Sequence, residues 1–598
     1  VVDASFVTAY EAVKEELASS DEVDRKLPIF VSTVECDSIC ALRIIVGLLK
    51  SESVHFSIYP VTGWKDIQDT VQAELVDKQG LSNMFFINCG ATEDLVELLA
   101  LGSSSHRALV IDSHRPIHTS NADEQNSSVM VLLTENDEQP PTDLGNSDES
   151  DSESGSSEDG ASSSDGDEQE NEPPLQRQRV EEAAASKKIA RSRERRRLRE
   201  ERRKKRIEYY DRGAWRGHPA STVTYELCRQ LRKEDNHYLW MSIVGLTDQF
   251  LHQLISGQSY QALLHACRQQ VLELGNPEMQ EYAELDDGSG ARAKVPLNRR
   301  ISTLRDFRFT LLRHWTLHDA MLYSEYVTTR LQTWREKGRR NLELLLAKMG
   351  FSLMQCKQFY GHMKPSIKEQ LASQLENYAP SYNLPDLQFD SFQLEQGYKR
   401  AISASDAVHA VTAMLETQKL DQEDWKHNFW RAYACLGPNS MAELAKGIEL
   451  AKKVQRTIIE TGGAVMARKA AVSMSSFRVV NLADGEVPDR ALLSQPLALL
   501  KLAIFVQDAY RVMHNKVKPV VVVGPEGEDH MCLIVGYTGR PRITDVSGNR
   551  FGNAFAYAQD ATKCELHADY CDQYTVKVAK SDILRFIAAL DAGGHMKE

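Results

Sequence analysis

Four short stretches carry side chains that could hold a divalent cation: Glu35-Cys36-Asp37, Asn88-Cys89-Gly90, Asp112-Ser113-His114-Arg115-Pro116 and Gly245-Leu246-Thr247-Asp248. Hard cations take carboxylate oxygens, imidazole adds a nitrogen donor, and water on such a cation becomes a usable nucleophile. Glu35, Asp37, Asp112, His114 and Asp248 would therefore suit a metal-dependent phosphoesterase. The structural alternative is that carboxylates at strand ends are common without any ion.

Other constellations carry less. His314 and His318 stand four apart, which would put both on one helix face as zinc ligands can be, but no HExxH frames them and no third ligand is evident. His114 and His118 share that spacing, with Pro116 between them arguing against a helix. Gly524-Pro525-Glu526-Gly527 lacks the Lys-Ser/Thr of a phosphate-binding loop and reads as a turn. No nucleotide-binding signature occurs, so no cofactor is expected and any ATPase work belongs to a partner. Tyr209, Tyr210, Arg212, Trp215 and Arg216 could stack bases and contact phosphate, although such clusters more often seat a helix against a domain.

The elements that would position these residues follow from hydrophobic periodicity. Strands are expected at 27–32, 54–60, 83–88 and 108–112, with helices at 39–49, 66–76 and 93–101. This β-α-β-α order with crossover-length connections predicts a mainly parallel sheet covered by helices, with its site at the strands' carboxyl ends. Glu35, Asp37, Asn88, Asp112 and His114 fall at those ends. From about residue 220 to 476 the period becomes helical, as in Leu342, Leu345, Leu346 and Met349. Strands return at 477–482, 519–523, 531–537 and 574–579, with helices near 492–513, 552–562 and 581–590, so a second α/β unit closes the sequence.

Charge is distributed unevenly over the 598 residues, whose formal net charge is -14. From Thr134 to Glu172 there are fifteen Asp/Glu and no Lys/Arg, set among Ser and Gly, so this stretch cannot offset its ordering entropy and reads as a disordered acidic loop. Its Ser147, Ser150, Ser152 and Ser157 would suit an acid-directed kinase. From Lys187 to Arg206 thirteen Lys/Arg face three Glu in helix-favouring residues. Arg202-Arg203-Lys204-Lys205-Arg206 would serve nuclear import or nucleic-acid contact, or else a solvated helix neutralised by the preceding acid. Ten cysteines form no CxxC pair and no finger spacing, which points to a reducing compartment. The longest apolar run, Leu492 to Val506, is too short and interrupted to span a bilayer, so no membrane association is expected; nor does the beginning of the sequence resemble a signal peptide.

In order and context, the four acidic stretches resemble the motifs of DHH phosphoesterases, above all RecJ-type single-strand exonucleases. Relative to that pattern Glu35 replaces an Asp, Asn88 stands in place of a carboxylate, and Ser113 in place of the first His of the third motif. The resemblance thus implies an eroded metal site: remnant positions Glu35, Asp37, Asp112, His114 and Asp248, losses at Asn88 and Ser113, and no bound metal. The Gly-Gly-Gly-His signature of the associated domain is reduced to Asn549-Arg550-Phe551-Gly552-Asn553-Ala554-Phe555, with Gly552 read as a turn.

The whole sequence resembles the eukaryotic cell-division-cycle forty-five family of RecJ relatives. Val61-Thr62-Gly63-Trp64, Ile243 to Gln249, His314 to Asp319 and Ala404 to Val408 add to that likeness. It implies an α/β fold: a DHH-like domain in two parts (1–133 and 217–260), split by the acidic loop (134–175) and a basic helix (176–216), then a helical interdomain region (261–476) and a DHH-associated-like α/β domain (477–598). It also implies a nuclear, non-catalytic subunit of the replicative helicase, bridging the minichromosome-maintenance hexamer and the GINS complex and contacting single-stranded DNA. The rival is an active metal-dependent single-strand exonuclease or phosphoesterase. A third reading is a one-metal site without catalysis.

Overall fold

The computed structural model describes residues 6–19, 26–76, 83–99, 107–141, 193–275, 299–395, 401–417 and 425–593, apart from isolated positions and residues 542–547. After helix α1 (Phe6–Ser19) comes a sheet built from β1 (Leu27–Ser32), β2 (Phe56–Val61), β3 (Met84–Ile87), β4 (Ala108–Ile111) and, beyond the two-residue β5 (His114–Arg115), β6 (Val129–Val131). Its order is β2-β1-β3-β4-β6 and every neighbouring pair is parallel, as the crossover lengths require.

Alternation along these strands serves two cores. Ile29, Val31, Phe85, Ile87, Leu109 and Ile111 face the main core, whereas Phe30, Phe86 and Val110 face the smaller one on the opposite side. Helix α2 (Cys36–Ser51) lies on the first face, and Trp64 and Ile67 of α3 (Trp64–Thr70) and Leu95 of α4 (Leu95–Leu98) on the second. Strand order reverses between β1 and β3, and that reversal opens a crevice at their carboxyl ends.

Helix α5, over residues 196–211, leads to β7 (Trp215–Arg216), which pairs antiparallel with β5. Arg196 and Arg197 face Glu200 and Glu201 on exposed turns of α5, and the part of the basic run before residue 193 lies outside the described residues. Tyr209 and Tyr210 fix the other end: their hydroxyls accept from the Ile117 and Thr119 amides at 3.0 and 3.1 Å, and Tyr209 packs edge-on against Trp215. The aromatic-basic cluster therefore seats a helix. Residues 142–192, most of the acidic stretch among them, lie outside the described residues, but its start is built into the fold. Asp137 is buried, accepts from the His218 amide at 3.1 Å and lies beside Arg115.

Helices α6 (Ala220–Gln230), α7 (Asn236–Leu251) and α8 (Gly257–Glu273) follow. The region up to Arg468 is mainly helical and ends in the 28-residue helix Met441–Arg468. It also holds an antiparallel sheet, β10-β9-β8, made of β8 (Ile301–Phe307), β9 (Gln388–Glu395) and β10 (Ala401–Ser403), which corrects the all-helical expectation. Another expectation fails at His314 and His318. Leu312–His314 is a single 3-10 turn, Trp315 is extended, and the next helix starts at Leu317, so the two imidazoles share no helix face.

The last unit is a six-stranded sheet of β11 (Ala471–Ser473), β12 (Arg478–Asn481), β13 (Val520–Glu526), β14 (Met531–Tyr537), β15 (Leu566–His567) and β16 (Thr575–Ala579), in the order β11-β12-β13-β14-β16-β15. Only β12 and β13 run parallel. Gly524 to Glu526 is not a turn but the irregular end of β13, where the register shifts; the chain reverses after Gly527. Gly552 is likewise no turn: it lies inside the helix Phe551–Thr562, where a side chain would press on Gln573. All ten cysteines are free and buried, and among the described residues no helix is long and apolar enough to cross a membrane.

Candidate functional site

The crevice at the ends of β1 and β3 brings Glu35, Asp37, Asn88, Asp112, Ser113, His114 and Asp248 together, all buried. Asp37 and Asp248 come from helices rather than strand ends, in the first turn of α2 and the last turns of α7. Asp248 accepts from the Asp37 amide at 3.1 Å, and its other oxygen lies 2.9 Å from His252 Nδ1.

The Asp37 carboxylate is fully occupied. It accepts from the first amides of α6, Ala220 at 2.7 Å and Ser221 at 3.1 Å, from the Ser221 hydroxyl, and from Asn88 Nδ2 at 3.0 Å. The amides are those a helix start leaves unpaired, and they favour an anion there. Asn88 also donates to the Ser38 hydroxyl at 3.1 Å and accepts from the Ser113 amide and hydroxyl, both at 2.9 Å. An aspartate at 88 could make none of the donations. Two of the three positions that depart from the DHH pattern, Asn88 and Ser113, thus bond to each other, and Asn88 Oδ1 takes up both Ser113 donors.

Asp112 is equally committed. One oxygen accepts from the Ala91 amide at 3.0 Å, the other from the His114 amide at 2.9 Å and from His114 Nδ1 at 2.7 Å. Burial raises the Asp112 carboxyl, but His114 outweighs it and holds the carboxyl below its ordinary range. Burial and the neighbouring Arg216 disfavour a proton on His114, yet Asp112 and Glu35 prevail and lift it to about 9. The imidazolium so formed is a cation inside the site.

Two further residues complete the cluster, and neither belongs to a sequence motif. Asp572, just before β16, lies 3.2 Å from His114 Nε2. Arg216, on β7, extends its guanidinium between the two α/β units: Nη2 bonds Asp572 Oδ1 at 2.7 Å and reaches Glu35 Oε1, while Nη1 donates to Ser113 Oγ at 3.2 Å. Only 4% of the Arg216 side chain is exposed. Of the two carboxyls that share it, Glu35 is raised by burial, whereas Asp572 is held low by Arg216 and His114 against its burial.

Single donor atoms of Glu35, His114 and Asp572 lie within 4.8 Å of one another, a spacing that suits a cation. The residues around them do not fit a divalent metal pair. A guanidinium already bonds two of the three, Asp37 and Asp112 spend their oxygens on protein donors, and Asn88 supplies no charge.

In front of this cluster a cleft of about 1500 Å³ runs between the first and last α/β units. Seven Arg/Lys line it against three Asp/Glu, with Arg511, Lys518, Arg540 and Arg550 on the wall of the last unit. Arg540 and Arg550 make no ion pair among the described residues, and Arg540 lies 5.5 Å from the Phe250 ring. His118, one of the paired histidines, stands apart near Asp94.

The comparisons extend over the same architecture. The Cell division control protein 45 homolog of Dictyostelium discoideum is 34% identical, and that of Schizosaccharomyces pombe 31%, each match covering 98% of both chains. The crystal structure of CDC45 from Entamoeba histolytica superimposes with a TM-score of 0.67 over 99% of both chains at 20% identity. The CDC45 family model matches residues 28–593, a span that takes in the parallel sheet, the helical region, the last α/β unit and every residue of the cluster from Glu35 to Asp572; the chain belongs to the CDC45 family.

Proposed function

We propose that the chain acts in DNA replication as a non-catalytic subunit of the eukaryotic replicative helicase, in the nucleus, bridging the minichromosome-maintenance hexamer and GINS and holding single-stranded DNA in the basic cleft. The role in replication follows from the family. The observation that carries the non-catalytic reading is the content of the crevice. Where a phosphoesterase needs open metal coordination positions, Arg216 and the amides of α6 already take up the carboxylate oxygens.

The cleft has what a strand without duplex partners asks for: cations spaced along two walls that can follow a backbone, and the half-buried Trp215 among its lining. The run Arg202-Arg203-Lys204-Lys205-Arg206 on α5, with Arg203, Lys204 and Lys205 exposed, would serve nuclear import. The helical region after residue 260, which among the described residues supplies none of the crevice's side chains, would present the faces that partners cover.

Fluorescence anisotropy with a labelled oligothymidylate tests the cleft. Affinity should fall with salt, log K against log salt sloping by about -0.7 for each phosphate neutralised. Arg540→Glu/Arg550→Glu should weaken binding by about tenfold or more while circular dichroism stays unchanged. Unchanged affinity in that variant would exclude the cleft as the DNA path. Co-elution with the hexamer and with GINS, each separately, tests the bridging role.

A further inference from the structure

We infer that Arg216 is the resident cation of this site: it occupies the position a divalent ion would take, and its removal would turn Glu35, His114 and Asp572 into a metal site. The inference rests on the non-catalytic reading of the crevice and is independent of the DNA and helicase roles.

Three observations point the same way. The first is the donor geometry. Glu35, His114 and Asp572 converge within 4.8 Å, and the guanidinium Nη2 bonds the two carboxylates at that convergence. The second is the state of His114. Its Nδ1 is tied to Asp112 at 2.7 Å, which leaves Nε2 facing Glu35 at 3.6 Å and Asp572 at 3.2 Å. A carboxylate behind one imidazole nitrogen, with the other aimed at a cluster of oxygens, is the arrangement that supports metal-ligating histidines. Here the cation those groups meet is covalently part of the chain.

The third is how firmly Arg216 is delivered. β7 pairs with β5 through His114↔Arg216 and Arg115↔Trp215, and the Gly217 amide donates to Ser113 O at 2.8 Å. On the other side Ala214 and Asn549 exchange amide bonds at 2.8 and 2.6 Å. The strap is therefore fastened to both α/β units within a few residues of the guanidinium. Gly213, at φ +81°, allows this approach, because a side chain there would strike Asn549.

Removing the guanidinium leaves two buried carboxylates and the His114 imidazolium, whose Nε2 proton a bound metal would displace, around a vacated volume. Such a group must gain a proton or a cation, since an uncompensated buried charge is strongly disfavoured. Mn2+ takes both oxygen and imidazole donors, so it is the suitable probe.

The test uses the full chain as wild type, Arg216→Ala, Arg216→Gln and Arg216→Ala/Asp572→Asn, with Mn2+ binding read by calorimetry and by loss of the free-ion EPR signal. Arg216→Ala should bind one Mn2+ at least about tenfold more tightly than wild type, with the gain lost in the double variant. Mn2+ should also raise the melting temperature of Arg216→Ala and leave that of wild type unmoved. If Arg216→Ala unfolds without metal, recovery of its structure on adding Mn2+ supports the inference. Equal Mn2+ affinity in wild type and Arg216→Ala would overturn it, as would folded Arg216→Ala and Arg216→Gln proteins that take up none. So would Arg216→Ala that stays unfolded in Mn2+ beside Arg216→Gln that binds none. DNA cleavage by the wild type would instead defeat the non-catalytic reading, which separates the two failures.

Discussion

Asn88 shows how one amide side chain can tie a buried crevice together: it donates to Asp37 and Ser38 and accepts from Ser113. Its φ of +48° lies in the left-handed region that Asn and Asp both tolerate, so Asn88→Asp changes charge and donors with little backbone cost. The variant would lose donation to Asp37 and Ser38 and place a second carboxylate against Asp37 in a fully buried position. We expect a loss of about 2–4 kcal/mol in urea denaturation, far more than a surface change would cost. Unchanged stability would mean that this network is not what holds the crevice together. At this scale the sequence is half informative. Glu35, Asp37, Asn88, Asp112, Ser113, His114 and Asp248 are readable because each lies in a short motif, and the fold brings all seven together. Arg216 and Asp572 are not readable, because they meet across 356 positions and the cue at Arg216, a mix of aromatic and basic residues, points equally to helix seating and to nucleic acid.

Close approach decides how the elements pack. Gly245 on α7 faces Asp37 and Ser221, and a side chain there would overlap both. In an open helix Gly→Ala gains about 0.5–1 kcal/mol, but overpacking costs about 1–3 kcal/mol, so Gly245→Ala should be destabilising by about 1–2 kcal/mol in urea denaturation. A stabilised variant would show that α2, α6 and α7 have room to move apart. In the helical region, Asp406 links the start of the helix Ala404–Glu416 to the Leu312–His314 turn, 3.4 Å from His314 Nε2 and 3.6 Å from Arg313 Nη1. Burial raises its carboxyl, but His314 and Arg313 prevail and hold it below the ordinary 3.8, at about 2. A depressed carboxylate stabilises the fold above its unfolded value and loses that contribution as pH falls through the folded one. Asp406→Asn should therefore lose about 1–3 kcal/mol near neutral pH. The gap to wild type should close between pH 3.8 and 2, followed by denaturant titration at each pH. A gap independent of pH would show that the charge contributes nothing.

The longer strands of both α/β units were legible because buried strands such as Met84–Ile87 and Val520–Val523 are unbroken apolar runs, whereas β6, β11 and β15, two or three residues each, were not. The sheet of β8, β9 and β10 was not. Ile301–Phe307 and Gln388–Glu395 mix polar and apolar residues without strict alternation, and their partners lie far apart in the sequence, so no local cue marks them.

At the scale of the whole molecule, β7 joins two α/β units that enclose a basic cleft and places a guanidinium where their carboxylates meet. On the function proposed above, the cations that would track a backbone stand on the wall of the last unit, apart from the carboxylates and imidazole of the crevice, which are bonded to one another. The most direct test incubates the full chain with end-labelled single-stranded DNA and Mn2+, at protein concentrations where anisotropy shows the DNA bound, and follows strand length on a denaturing gel. The DNA should remain full length for as long as it stays bound. Mn2+-dependent shortening that disappears in Asp112→Ala/Asp248→Ala would contradict the account and restore the crevice as an active site.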